Sequence, residues 1–268
     1  MDLGLKDKVA VVTGGSRGIG FACVKELLNE GAFLAFCARD GARIEEALQA
    51  LPHRERIFAK SVDMRVEKEV YAFADEVTAR FGKIDIWINN SGSIGSRRGE
   101  FFTGEEIDEV YAQCFKSAVF GAQAAAKQMK KHGGSIVNIS SLAARCPSAG
   151  RSTIYGPMKA AIQNLTITLA GELAAYGIRV NCVLPGFTLT ELVKENISQE
   201  ELLRNERGTL LKRLASPEEI AKPVVFLASF ASAYMTGESI EVSGGRAITL
   251  NPMYSYERKE KEEEDERE

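Results

Sequence analysis

The chain has 268 residues, 45% of them hydrophobic, enough apolar surface for one sizeable core and a single large α/β domain. Its net charge of −3 comes from the end: Glu257 to Glu268 are all charged, eight acids and four bases, while the other 256 residues hold 30 bases against 29 acids, which excludes the basic surplus of a nucleic-acid binder. Five scattered cysteines with no Cys-x-x-Cys pair, and two histidines, exclude a disulfide framework and a His-based metal cage and suit reduced thiols in a cytoplasmic protein.

Residues 1–8 are charged and read as no secretory leader, and no later apolar stretch reaches the roughly 18 residues of a membrane helix. From there, apolar β-branched runs predict strands over 9–13, 33–38, 57–60, 84–89, 135–140, 179–184 and 239–242. Helical patterns fall between them, over 18–30, 42–50, 67–81, 105–130, 153–176 and 217–230. Strands alternating with helices predict a doubly wound parallel sheet of about seven strands, Rossmann-type, in one domain over 1–250. Residues 251–268 are expected to be an extension ending in a disordered charged tail. The least regular stretch, 187–215, reads as a substrate lid or as a plain surface helix pair.

Thr13-Gly14-Gly15-Ser16-Arg17-Gly18-Ile19-Gly20 follows the first strand and opens the first helix. Glycines there let the backbone turn tightly and approach a pyrophosphate, which a helix N-terminus favours, and Gly20 would permit close helix–strand packing. The same residues match the Gly-x-Ser-x-Gly elbow of serine hydrolases. That chemistry needs a histidine base late in the chain, and His53 and His132 are not so placed. The run 155–159 sets Tyr155 and Lys159 four apart, on one face of a helix. An ammonium beside a phenol favours the phenolate, and such a phenol can trade a proton with an alcohol or ketone.

With the glycine loop, Asn89-Asn90-Ser91-Gly92, Ser140-Ser141, the Tyr155/Lys159 pair and Pro185-Gly186 in this order, the chain resembles the short-chain dehydrogenase/reductase family over residues 5–247. The resemblance implies a nicotinamide cofactor, a small alcohol or ketone substrate, and a homotetramer or homodimer. It assigns Tyr155 as general acid/base, Lys159 as its partner and a ribose ligand, and Ser141 as donor to the substrate oxygen. Gly14, Ser16, Arg17, Gly18, Ile19 and Gly20 become the phosphate loop. Asp63 is expected at the adenine, residues 89–92 along the cleft, and Pro185, Gly186 and Thr188 over the nicotinamide. One position departs: the asparagine expected midway along the fourth helix is Cys114, a weak hydrogen-bonding group. The water that asparagine holds would fall to backbone groups or Gln113, unless Cys114 is simply a small core residue.

The second strand ends Phe36-Cys37-Ala38-Arg39-Asp40, with Ala38 where an acid would select NAD. Arg39 and Arg17 can clamp a 2′-phosphate, so NADP(H) is favoured over NAD(H). Asp40 is a counter-signal or a helix cap. Substrate-facing segments are expected over 93–100, 142–153 and 187–207, with Arg97 and Arg98 in the first and Leu189, Leu192, Val193 and Ile197 in the last. The ending Gly244-Gly245-Arg246-Ala247 with its later tyrosines is similar to bile-acid hydroxysteroid dehydrogenases, which implies a hydroxysteroid or bile acid. Sugar or polyol oxidation and 3-oxoacyl reduction are the alternatives, and a non-catalytic nucleotide sensor, favoured by Cys114, is the alternative of another class.

Overall fold

A computed structural model describes residues 2–95, 100–147 and 153–265. Seven strands, β1 (Val9–Thr13), β2 (Phe33–Ala38), β3 (Ile57–Ser61), β4 (Ile86–Asn89), β5 (Gly134–Ile139), β6 (Ile178–Pro185) and β7 (Ser239–Val242), form one sheet in the order β3-β2-β1-β4-β5-β6-β7. Every pairing is parallel. Alternate residues of β1 show why both faces are covered. Ala10 and Val12 face α1 (Gly18–Asn29) and α9 (Pro217–Ala228), while Val9 and Val11 face α3 (Glu67–Phe81) and the helices after β4 and β5. The strand order reverses between β1 and β4, and that switch point opens a crevice at the carboxyl ends of the strands.

Boundaries differ from expectation where side chains take over backbone work. β4 starts at Ile86 rather than 84, because the Asp85 carboxylate accepts the Val9 N–H at 2.9 Å. The helix predicted over 105–130 is α4 (Gly104–Tyr111) and α5 (Ser117–Met129), joined by a π-helical turn, Ala112–Lys116, with Cys114 at its centre. Such turns insert one residue into the hydrogen-bond ladder and cluster at functional sites. α2 (Gly41–Gln49) follows β2, α6 (Tyr155–Leu173) follows β5, and α7 (Glu191–Asn196) and α8 (Gln199–Arg207) form the stretch after β6.

In the charged end, Tyr254–Asp265 is a helix, α10. Ion pairs one turn apart, Arg258–Glu262 at 2.7 Å and Lys259–Glu263 at 3.4 Å, support it where no apolar face is buried. Its first turn is tied back to its own chain. The Tyr256 hydroxyl donates to the Leu210 carbonyl, and Lys212 donates to the Pro252 carbonyl at 3.1 Å and lies 4.9 Å from the Tyr256 ring centre. No helix among the described residues is long and apolar enough to cross a membrane.

Candidate active site

A cleft of about 700 Å³ lies over the switch point. Its floor is the glycine loop between β1 and α1. Gly14 has φ +65°, a conformation that a side chain disfavours, and Gly15 donates its N–H to the Cys37 carbonyl at 3.0 Å. The end of β4 locks this loop. Thr13 Oγ1 accepts from the N–H groups of Asn90 and Ser91, both at 3.0 Å, and Asn90 Nδ2 donates to the carbonyls of Thr13 and Gly14 at 2.9 and 3.1 Å.

Gly14, Ser16, Arg17, Gly18 and Ile19 line the cleft, but Gly20 does not. Gly20 is buried beneath the loop, where a Cβ would lie 2.2 Å from the Gly14 carbonyl oxygen and 2.4 Å from Asn90 Nδ2. Its part is the close packing that shapes the loop. Asn90, Ser91 and Gly92 reach the cleft, whereas the Asn89 side chain is buried. It accepts from Trp87 Nε1 at 2.8 Å and donates to Asn138 Oδ1 at 2.9 Å, and Asn138 in turn donates to Thr166 at 2.9 Å. That chain of satisfied polar groups ties β4 and β5 to α6 under the site.

Tyr155 is the first residue of α6, and the helix continues through Pro157 because a first-turn N–H has no helical partner to lose. Lys159 lies one turn on, 3% exposed, with Nζ 5.6 Å from the Tyr155 ring centre. Nζ donates to the Ile139 carbonyl at 2.8 Å, which aims the ammonium at the cleft from the end of β5. Two adjacent serines part here. Ser140 is buried and donates to the Lys159 carbonyl at 2.7 Å, anchoring α6. Ser141 is half-buried, caps the short turn Leu142–Ala144 by accepting from the Ala143 N–H at 3.1 Å, and opens on the cleft. Ser141, Tyr155 and Lys159 thus meet on one wall, which can donate to an oxygen and place a cation beside a phenol.

The far end of the cleft is lined by Arg39, Asp40, Arg43, Asp63 and Arg65. Asp40 is the cap of α2, accepting from the N–H groups of Ala42 and Arg43 at 3.0 and 3.3 Å, so the cap reading prevails. Asp63 is gripped by Arg65 Nε and Nη2, and that bond, with Arg39 nearby, holds its carboxyl below the usual range. Sequence reasoning missed Arg43 and Arg65. An Asp-x-Arg spacing after β3 was the local signal for Arg65. Thr190 and Glu191 fall within the segment 187–207 expected to face the substrate, but the contact of Glu191 with Gly18, across 173 residues, had no local signal.

Pro185, Gly186 and Thr188 line the cleft near β6, and Thr190, Glu191 and Leu192 form its outer edge. Of the four apolar residues assigned to a lid, Leu192 reaches the cleft. Arg97 and Arg98 lie outside the described residues. The Cys114 thiol is buried and donates to the Ser93 carbonyl at 3.0 Å. A Cβ on Gly92 would lie 3.7 Å from that sulfur and 3.3 Å from Lys159 Nζ, so thiol and ammonium face the same glycine. Gln113 lines the cleft and donates to Glu109 at 2.8 Å. No histidine lines the cleft that holds Ser16, which leaves the hydrolase reading without a base, and no metal-binding cluster occurs among the described residues.

The donor set fits a dinucleotide: backbone N–H groups at a helix start, guanidiniums at one end and a phenol–ammonium pair at the other. Comparison with known proteins agrees with that chemistry. A family described as enoyl-(acyl carrier protein) reductase matches residues 14–247. The chain is 36% identical over 245 residues to a 3alpha-hydroxysteroid dehydrogenase of Mediterraneibacter gnavus, covering 90% of this chain and 97% of that one. Among solved structures, a 7 alpha-hydroxysteroid dehydrogenase complexed with NADH and 7-oxo glycochenodeoxycholic acid superposes with TM-score 0.85 at 30% identity, covering 93% and 98% of the two chains. An L-sorbose reductase from Gluconobacter frateurii complexed with NADPH and L-sorbose gives TM-score 0.84 at 34% identity, covering 93% and 100%.

Proposed function

The chain belongs to the short-chain dehydrogenase/reductase family of oxidoreductases, and on that premise we propose that it interconverts a secondary alcohol and a ketone with NADP(H). The observation that carries this reading is the convergence of Ser141, Tyr155 and Lys159 on one wall of a cleft whose floor is the glycine loop. A nicotinamide held in this cleft would supply or accept the hydride. In the reducing direction Ser141 donates to the carbonyl oxygen and Tyr155 delivers the proton as charge develops there. Lys159 stabilises the phenolate that remains, and the Ile139 carbonyl holds it in place. A panel of ketones with NADPH and NADH, followed by nicotinamide absorbance, tests the proposal. Nucleotide binding without turnover of any ketone would favour the sensor.

NADPH is favoured because Arg17, Arg39 and Arg43 face the cleft while Asp40 is engaged as a helix cap. Equal kcat/KM with both cofactors would overturn that preference. For substrate, the likeness to two hydroxysteroid dehydrogenases and the apolar Leu192 at the rim support a hydroxysteroid or bile acid. The L-sorbose reductase likeness supports a sugar or polyol as the second reading, and 3-oxoacyl reduction belongs in the same panel. Exposed Ile167, Phe230, Tyr234 and Leu250 support assembly as a homotetramer or homodimer, which light scattering checks. Five free cysteines suit a reducing, cytoplasmic setting.

A further inference from the structure

One ionic group in the cleft has no part in the roles above. Glu191 is the first residue of α7 and lines the cleft. Its Oε2 accepts from the Gly18 N–H at 3.2 Å. Gly18 is the first residue of α1, so its N–H has no partner within the helix and sits at the positive end of the helix dipole. Helices α2, α4, α7, α8 and α9 each satisfy a first-turn N–H with the side chain of their own cap residue. α1 starts from Arg17, whose side chain makes no such bond. The anion comes instead from the segment after β6. Thr190 seats it: a Cβ on Gly18 would lie 3.2 Å from the Thr190 methyl, and Thr190 Oγ1 accepts from the Val193 N–H at 3.4 Å as the α7 cap.

We propose that Glu191 competes with the cofactor's diphosphate for the glycine loop, so that the cofactor must dislodge the start of α7 in order to bind. This rests on the dinucleotide reading of the cleft. One N–H cannot serve two anions, and a carboxylate left beside a diphosphate repels it. Releasing Glu191 also releases Leu192, the next residue on the cleft edge. The contact therefore links cofactor binding to the segment closest to the substrate side.

The test uses the full chain, with Glu191→Gln and Glu191→Ala. Both variants should fold, because Glu191 is exposed, and thermal unfolding confirms it. Binding is measured by NADPH fluorescence, and by calorimetry for 2′-AMP, which has the 2′-phosphate without a diphosphate. Glu191→Ala is expected to tighten NADPH binding on the order of tenfold, chiefly through faster association. Glu191→Gln keeps an acceptor but loses the charge and should fall between. 2′-AMP should bind all three proteins alike. Unchanged or weaker NADPH binding in both variants overturns the proposal, as does an equal gain for 2′-AMP, which would mean a general charge effect. If wild type binds neither NADPH nor NADH, the dinucleotide reading itself fails, and the competition with it.

Discussion

The two long walls of the cleft are built by opposite means. The β1–β4 side is backbone pinned by two side chains: Thr13 Oγ1 accepts from the Asn90 and Ser91 N–H groups, Asn90 Nδ2 donates to the Thr13 carbonyl, and Gly20 admits no Cβ. The side after β6 is two short helices whose residues are mostly exposed, reaching the cleft through Thr190, Glu191 and Leu192. A surface fixed by backbone geometry recognises what every dinucleotide shares. A surface made of exposed side chains can change its specificity without disturbing the sheet. The comparisons follow that division, with relatives that keep the fold and differ in substrate.

Substitutions can break this contrast, beginning on the rigid side. Tyr155→Phe removes the proton donor while keeping the ring, and should lower kcat on the order of a hundredfold or more with cofactor affinity intact. Single-turnover kinetics beside NADPH titration check it. Gly20→Ala forces a methyl against the Gly14 carbonyl, 2.2 Å away, and should cost ~1–3 kcal/mol of stability and weaken cofactor binding together. Thermal unfolding with and without NADPH reads both effects.

Weaker effects are expected toward the edges. Arg39→Ala should weaken NADPH roughly tenfold and spare NADH, which calorimetry with each cofactor resolves. On the exposed wall, Leu192→Ala should change KM for the ketone while stability stays within about 0.5 kcal/mol. A stability loss as large as that of Gly20→Ala would erase the contrast between the walls.

The last prediction concerns the anchor of α9, the helix after the exposed wall. Arg213 pairs with Glu219, whose carboxyl is lowered to about 2, and Glu219 also accepts from the Ser216 N–H at 2.9 Å in the helix cap. A carboxyl with a lower pKa folded than unfolded stabilises the fold above its unfolded value, near 4.3, and loses that contribution as pH falls toward 2. Glu219→Gln should therefore lower Tm slightly at neutral pH, and its Tm should converge with that of wild type on acidification. Parallel melting curves at every pH would refute this.

Much of the molecule was legible because it is written in local chemistry. Strand runs alternating with helical periods specify a parallel sheet, since a strand buried on both faces must be apolar throughout. The glycine loop and the Tyr155/Lys159 spacing are equally local, and each names its own geometry. Legibility failed where a residue's partner is distant in sequence. Gly20 and Asn89 belong to motifs whose other members line the cleft, and only burial shows that these two do not. Composition likewise does not reveal that Tyr256 and Lys212 hold the first turn of the charged end.

By itself, then, the sequence determined the layer order, the glycine loop and the pair at the start of α6, because periodicity and short spacings express backbone physics directly. Tertiary structure alone decided that Ser140 anchors α6 through the Lys159 carbonyl, that Asp40 caps a helix, that Arg43 and Arg65 line the far end of the cleft, and that Glu191 reaches Gly18. Each of these depends on where a side chain points once the sheet has closed. That direction is set by packing between elements far apart in the chain, which no local pattern encodes.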